Sequence, residues 1–203
     1  MQTYSHLIIT AALDVANKHG IEKKYHIKVD SWALLLGSFL PDIPLFILSL
    51  IYFVEQGVFS GDFVATPEIF GATYDALYFN DFFWIVGHSL FHSPIMIAVY
   101  AAIGYWFGLR KGQTWARLLF WFAVGAGLHS FLDIFTHHDD GPLLLFPLNW
   151  TWRFSSPVSY WDIDHYATIF APIEHLIDLV LIGWLVRRRF FNTDDNKSNT
   201  QTE

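Results

Sequence analysis

Four stretches of this chain, Ala33–Val54, Phe82–Phe107, Trp115–Phe135 and Thr168–Val186, are apolar almost all round and long enough to cross a bilayer. The hydrocarbon core is about 30 Å thick and takes about 20 helical residues to traverse. Weak periodicity inside these stretches suits lipid better than a half-wet surface. The predicted fold class is therefore all-α: a polytopic membrane helical bundle of about four transmembrane helices plus a short N-terminal helix. That helix, Tyr4–His19, is too short to span and lacks the basic n-region of a cleavable signal. The rival, an unusually apolar soluble bundle, fits less well, because only 15 % of residues are charged, against about 25 % in soluble domains.

Charge placement supplies an orientation. Of the 12 Lys and Arg residues, all but Arg153 fall in segments that a four-span chain puts on one side. They are Lys18–Lys28 before the first span, Arg110–Arg117 between the second and third, and Arg187–Lys197 after the fourth. The positive-inside rule then puts both termini in the cytoplasm. A net charge of −7 with no basic stripe excludes a nucleic-acid partner. The absence of cysteine removes thiolate catalysis and Cys-ligated zinc. Residues 1–191 read as a single membrane-embedded domain, and 192–203, polar and aperiodic, as a disordered cytoplasmic tail.

The polar residues inside the spans carry the functional signal, because an ionisable group in hydrocarbon costs a few kcal/mol or more. The first span holds Asp42 within Leu40-Pro-Asp-Ile-Pro44, where two prolines break the helix. The second holds His88 and His92, whose i,i+4 spacing suits two ligands of one metal or of neighbouring metals. The third ends in His129 and Asp133 at the same spacing, followed by His137 and His138. The fourth carries Glu174, His175 and Asp178, which read equally well as structural partners of His165 or His175.

At 1.5 Å per residue, Asp42 lies about 16 Å from the basic end of its helix, and His92 and Asp178 about 15 Å from the opposite end. All these groups therefore share the middle to outer half of the slab, as one polar cavity would require. His6 joins them only if the N-terminal helix dips into the membrane. A lone buried His is ordinarily a hydrogen-bonded core residue, but two His pairs with an Asp at matching depth favour a metal site. If it is one, the donor atoms of Asp42, His88, His92, His129 and Asp133 should converge to about 3–4 Å from one another. The aromatic run Phe146–Trp161 reads as an interfacial anchor, and Gly125 and Gly127 as points of close helix packing.

The order of motifs resembles a known family. A His near the start (His6) is followed by Leu-Pro-Asp (Asp42), His-x3-His-Ser (His88, His92, Ser93), His-x3-Asp-x2-Thr (His129, Asp133, Thr136) and the Gly141–Pro147 run. This is similar to the inner-membrane metal-dependent hydrolases of the LexA-regulated type, bacterial and archaeal proteins of about four spans. The His-x3-Asp element also resembles the all-helical zinc-dependent phospholipase C superfamily. The resemblance implies a ligand set of His6, Asp42, His88, His92, His129 and Asp133. Pro44 stands where the family commonly has a second Asp, which makes His137, His138 or Asp139 its candidate replacements. His and carboxylate ligands without thiolate suit Zn²⁺, with Mn²⁺ or Fe²⁺ as alternatives. Asp42 or Asp133 would act as general base or as a bridge between metals. The expected function is hydrolysis of an ester or phosphoester, of a lipid by analogy, at the outer face of the cytoplasmic membrane. The rival classes are a proton- or metal-coupled transporter and a scaffold with a structural metal.

Overall fold

The computed structural model describes residues 1–57 and 71–198, without the side chains of 191–198. Eight α-helices follow one another among the described residues: α1 (Thr3–Tyr25), α2 (Ser31–Phe39), α3 (Ile43–Glu55), α4 (Ala72–Asn80), α5 (Phe82–His92), α6 (Pro94–Ile103), α7 (Thr114–Thr136) and α8 (Ala167–Ser198). No strand occurs among these residues. Three segments are long and apolar enough to cross a membrane: Ser31–Glu55, Thr114–Thr136 and Ala167–Phe190. A fourth forms if Phe82–His92 and Pro94–Arg110, bent by 51°, are one broken span. The all-helical class and the span count agree with the sequence reading. Of the expected tail, 192–198 continues α8, and 199–203 lie outside the described residues, as do residues 58–70 between the first two expected spans.

The breaks follow from proline. Pro41 and Asp42 sit in a tight 3₁₀ turn, Leu40–Asp42, between α2 and α3. Pro44 falls in the first turn of α3, where its missing N–H costs nothing. Ser93 is extended, as a residue before proline prefers, and Pro94 then opens α6. The carbonyls orphaned at the end of α5 find side-chain donors instead of helix partners. Tyr100 Oη donates to Leu90 O at 3.1 Å and Ser130 Oγ to His92 O at 2.6 Å. At the starts, Asp30 caps α2 through Ala33 N (3.1 Å), and Asp81 caps α5 through Phe83 N (2.8 Å) and Trp84 N (3.2 Å).

α2 and α7 form the tightest seam. A Cβ on Gly37 would land on the backbone of Phe122, and one on Gly125 on the carbonyl of Leu34. Gly104 and Gly108, on the π-helical extension of α6, stand nearly as close to the backbone of α7. Gly127, by contrast, would gain only ordinary contact with Ile97. Of the two glycines expected to allow close packing, Gly125 is therefore the one that requires it.

α1 lies antiparallel to α2 and parallel to α8. At its Lys-rich end Lys18 Nζ donates to Ser31 Oγ (2.8 Å), and Arg188 reaches Val15 O (3.3 Å). At its start Gln2 N donates to Glu174 Oε1 (2.8 Å) and Ser5 Oγ to Asp178 Oδ2 (2.7 Å). Ser5, His6, Thr10 and Ala12 are buried. The outward side of α8 is apolar, with Leu176, Leu179 and Val180 more than 60 % exposed, the surface expected of a helix facing lipid.

Candidate metal centre

The site forms where four helix irregularities meet: the 3₁₀ turn after α2, the end of α5, the last turns of α7 and the start of α1. Asp42, His92, His129 and Asp133 each direct one donor atom into a common volume, and those atoms lie within 4.8 Å of one another. His92 and His129 are fully buried, and Asp133 nearly so.

The backbone fixes the tautomers. Nδ1 of His92 lies 2.8 Å from His88 O, and Nδ1 of His129 lies 2.8 Å from Ser38 O. A carbonyl only accepts, so each Nδ1 carries the proton and each neutral ring presents a lone pair at Nε2. Those two Nε2 atoms face each other at 2.9 Å. Asp42 Oδ1 stands 3.3 Å from both. Asp133 Oδ2 stands 3.0 Å from His129 Nε2 and 3.6 Å from His92 Nε2. Two lone pairs and two carboxylate oxygens turned on one point repel unless a positive charge sits among them. A proton on one ring would supply part of that charge, and a divalent cation all of it. The Nδ1-to-carbonyl bonds are also the outer support that metal-bound imidazoles ordinarily have.

His6 adds a second indication. Its ring stacks on His129 with centroids 3.8 Å apart, and its Nε2 lies 2.9 Å from Asp133 Oδ1. The angle is not that of a hydrogen bond, and both ring nitrogens of this buried residue have no hydrogen-bond partner. Two donors that are close but not aimed at each other suit ligands directed at a shared ion. α1 thus brings His6 to the level of Asp133 and His129. Asp133 Oδ1 also receives the Met1 amino nitrogen at 3.0 Å and lies 3.4 Å from His137 Nε2. Thr3 Oγ1 donates to Asp42 Oδ2 at 2.5 Å.

His88 stands beside the four rather than among them. Its ring stacks on His92 at 4.3 Å, and its Nε2 is 3.1 Å from Tyr78 Oη. Tyr78 spends its hydroxyl proton on Asp140 O (2.5 Å). The phenol oxygen must therefore accept from His88 Nε2–H, leaving His88 Nδ1 as a buried lone pair with no hydrogen-bond partner. Burial pushes the Tyr78 phenol pKa upward, which keeps it a neutral hydroxyl.

The remaining candidates separate. His138 turns away: its Nδ1 is 2.6 Å from Ser156 O and its ring stacks on His165 at 3.5 Å. His137 is nearer, between Asp133 and Asp140, whose Oδ2 is 3.0 Å from His137 Nδ1. Glu174 and Asp178 are buried and moor α1 through Gln2 and Ser5, while His175 lies against Tyr4. These carboxylates thus hold the first turn of α1, and through it His6, in place. Sequence reasoning missed Thr3, Ser5 and Tyr78. The spacing of Thr3 and His6 on one helix face was a usable signal, whereas nothing in the sequence ties Tyr78 to His88.

No curated protein and no solved structure matches the chain significantly. The family model described as YdjM inner membrane protein matches residues 1–192, and on that match the chain belongs to the YdjM inner membrane protein family.

Proposed function

We propose that this protein is a membrane-bound, metal-dependent hydrolase of an ester or phosphoester, with a lipid as the substrate, working at the face away from its Lys/Arg-rich helix ends. The observation that supports it is the convergence of two imidazoles, each anchored through Nδ1, with two carboxylates inside an apolar bundle. His92 and His129 would hold the ion through Nε2 and Asp133 through Oδ2, three protein ligands being the usual number for a catalytic zinc. This donor set suits Zn²⁺, with Mn²⁺ or Fe²⁺ as alternatives. When bound, such an ion supplies Lewis acidity and lowers the pKa of a water toward about 7.

The chain's own residues divide the remaining work. Asp42 is the more open carboxylate, 24 % exposed in its side chain against 6 % for Asp133. We assign it the role of general base, with Thr3 holding Oδ2 so that Oδ1 faces the two rings. Asp133 would offset part of the ion's charge, and its Oδ1 lies toward His6. The exposed aromatic side chains at the mouth, Trp150, Trp152 and Phe154 among them, suit a lipid more than a water-soluble ester.

Metal analysis of detergent-purified protein, beside turnover of phosphodiester and carboxylic-ester lipids, tests this reading. About one or two divalent ions per chain with chelator-sensitive turnover supports it, and metal-free wild type with no turnover rejects it. The burial of His6, His92 and His129 favours one other reading, a scaffold in which the same ion is structural. That reading predicts bound metal, chelator-lowered melting and no turnover.

A further inference from the structure

Among the Lys and Arg residues, Arg153 alone lies outside the segments that a four-span chain puts on its basic side. It is half-buried in the aromatic loop that follows α7. Its guanidinium carbon lies 5.2 Å from the centre of the Tyr78 ring and 5.5 Å from that of Phe79. One of its N–H donors reaches the carbonyl of Gly141. Segments 55–81 and 137–166 hold several Asp and Glu residues, yet no carboxylate among the described residues lies within 4.0 Å of the guanidinium.

Large apolar side chains flank it in the sequence and continue the loop's exposed surface. Trp152 is 52 % and Phe154 40 % exposed, and beyond them Phe82 is 58 % and Leu148 80 % exposed. Trp150 is stacked on Phe82 at 5.7 Å and set edge-on to Phe146 at 4.9 Å. Exposed Trp and Phe side chains settle at the level of lipid headgroups. A planar cation held there with donors to spare and no carboxylate beside it is built to meet a phosphate.

We infer that Arg153 and the aromatic loop around it form a seat for the phosphate of a membrane phospholipid, one side chain away from the His/Asp cluster. The link to the cluster is short: Arg153 touches the ring of Tyr78, and the Tyr78 hydroxyl touches His88. The inference does not use the hydrolase reading, because it concerns lipid binding and stands whether or not the cluster turns over a substrate. Inorganic phosphate shares the recognised chemistry, and the test separates it from lipid.

The experiment uses the full chain in neutral detergent, metal-loaded and chelated, with Arg153→Gln and Arg153→Lys. Native mass spectrometry and thermal melting are read with added phosphatidylglycerol, with diacylglycerol, and with inorganic phosphate. Wild type should retain phosphatidylglycerol and melt higher in its presence, with or without metal, and diacylglycerol should do neither. Arg153→Gln should weaken retention by about tenfold or more, and Arg153→Lys by a few-fold, because a point charge lacks the guanidinium fork. Equal retention by wild type and Arg153→Gln overturns the seat. So does inorganic phosphate that reproduces the whole melting shift and leaves no further gain for lipid. If Arg153→Gln does not fold, Arg153→Lys decides alone, and retention equal to wild type rejects the proposal.

Discussion

Gly125 and His129 lie four residues apart on α7 and face the same stretch of α2, yet they hold it by opposite means. At Gly125 the two backbones come so close that a methyl group would strike Leu34 O. At His129 the backbones have parted enough for an imidazole, whose Nδ1 rests on Ser38 O four residues further along α2. The difference lies in α2, which runs as regular helix past Leu34 and then tightens into the 3₁₀ turn at Leu40–Asp42. Close packing without side chains gives the bundle its grip, and the adjoining break gives it room for polar chemistry. In lipid, where apolar burial does not drive helices together, such a seam supplies much of the association. The cluster can then be assembled from groups that contribute little to stability.

That division is tested most strongly at the seam. Gly125→Val should cost about 3 kcal/mol or more and remove most monodisperse protein from size-exclusion profiles, whereas Gly127→Ala on the same helix should behave as wild type. A tolerated Gly125→Val would mean that the seam is not what holds α2 to α7. The cluster should respond in the opposite way. His92→Ala or Asp133→Asn should lower metal affinity by at least about 100-fold, measured by competition with a chromophoric chelator, with the apo-protein's melting within a few degrees of wild type. Collapse of the fold in either variant would make the cluster structural.

Smaller effects refine the boundary between the two. Glu174→Gln and Asp178→Asn each weaken one tie on α1, about 1 kcal/mol, and should lower melting by about 2–4 °C. Metal affinity should fall alongside, because His6 travels with α1. Thr3→Val removes the hydroxyl that orients Asp42 and should weaken metal binding about tenfold at unchanged melting. His138→Ala should leave metal content as in wild type and loosen only the loop ahead of α8, read as faster proteolysis within residues 137–166. A loss of metal there would restore His138 to the ligand set.

Much of this was legible in the sequence. Apolar length located the spans, the two prolines located the break, and i,i+4 spacing placed His129 and Asp133 on one face. The depth of each ionisable group foretold that they would meet. What could not be read were contacts made across long separations by residues without a periodic signature. Glu174 and Asp178 looked like partners for neighbouring histidines; Asp178 does lie 3.9 Å from His175 Nδ1, but the hydrogen bonds of the two carboxylates go to Gln2 and Ser5. His88 shares the helix face of His92, yet Tyr78 on α4 engages its Nε2 and sets it apart. His138 follows the ligand-bearing helix, but α7 ends at Thr136 and the extended residue that follows sends it toward Ser156.

The mooring of α1 also sets a schedule for biosynthesis. Gln2 and Ser5 emerge from the ribosome about 170 residues ahead of Glu174 and Asp178, to which they bond. At translation rates of about 5–20 residues per second the interval is about 10–30 s. When Asp133 is made, about 40 residues before Glu174, the four groups Asp42, His92, His129 and Asp133 are complete, while Gln2 and Ser5 still lack the carboxylates that hold them. A nascent chain can therefore gather the inner four groups before it can close them in. The helix made after all four groups, α8, is the one that brings the start of α1 to rest.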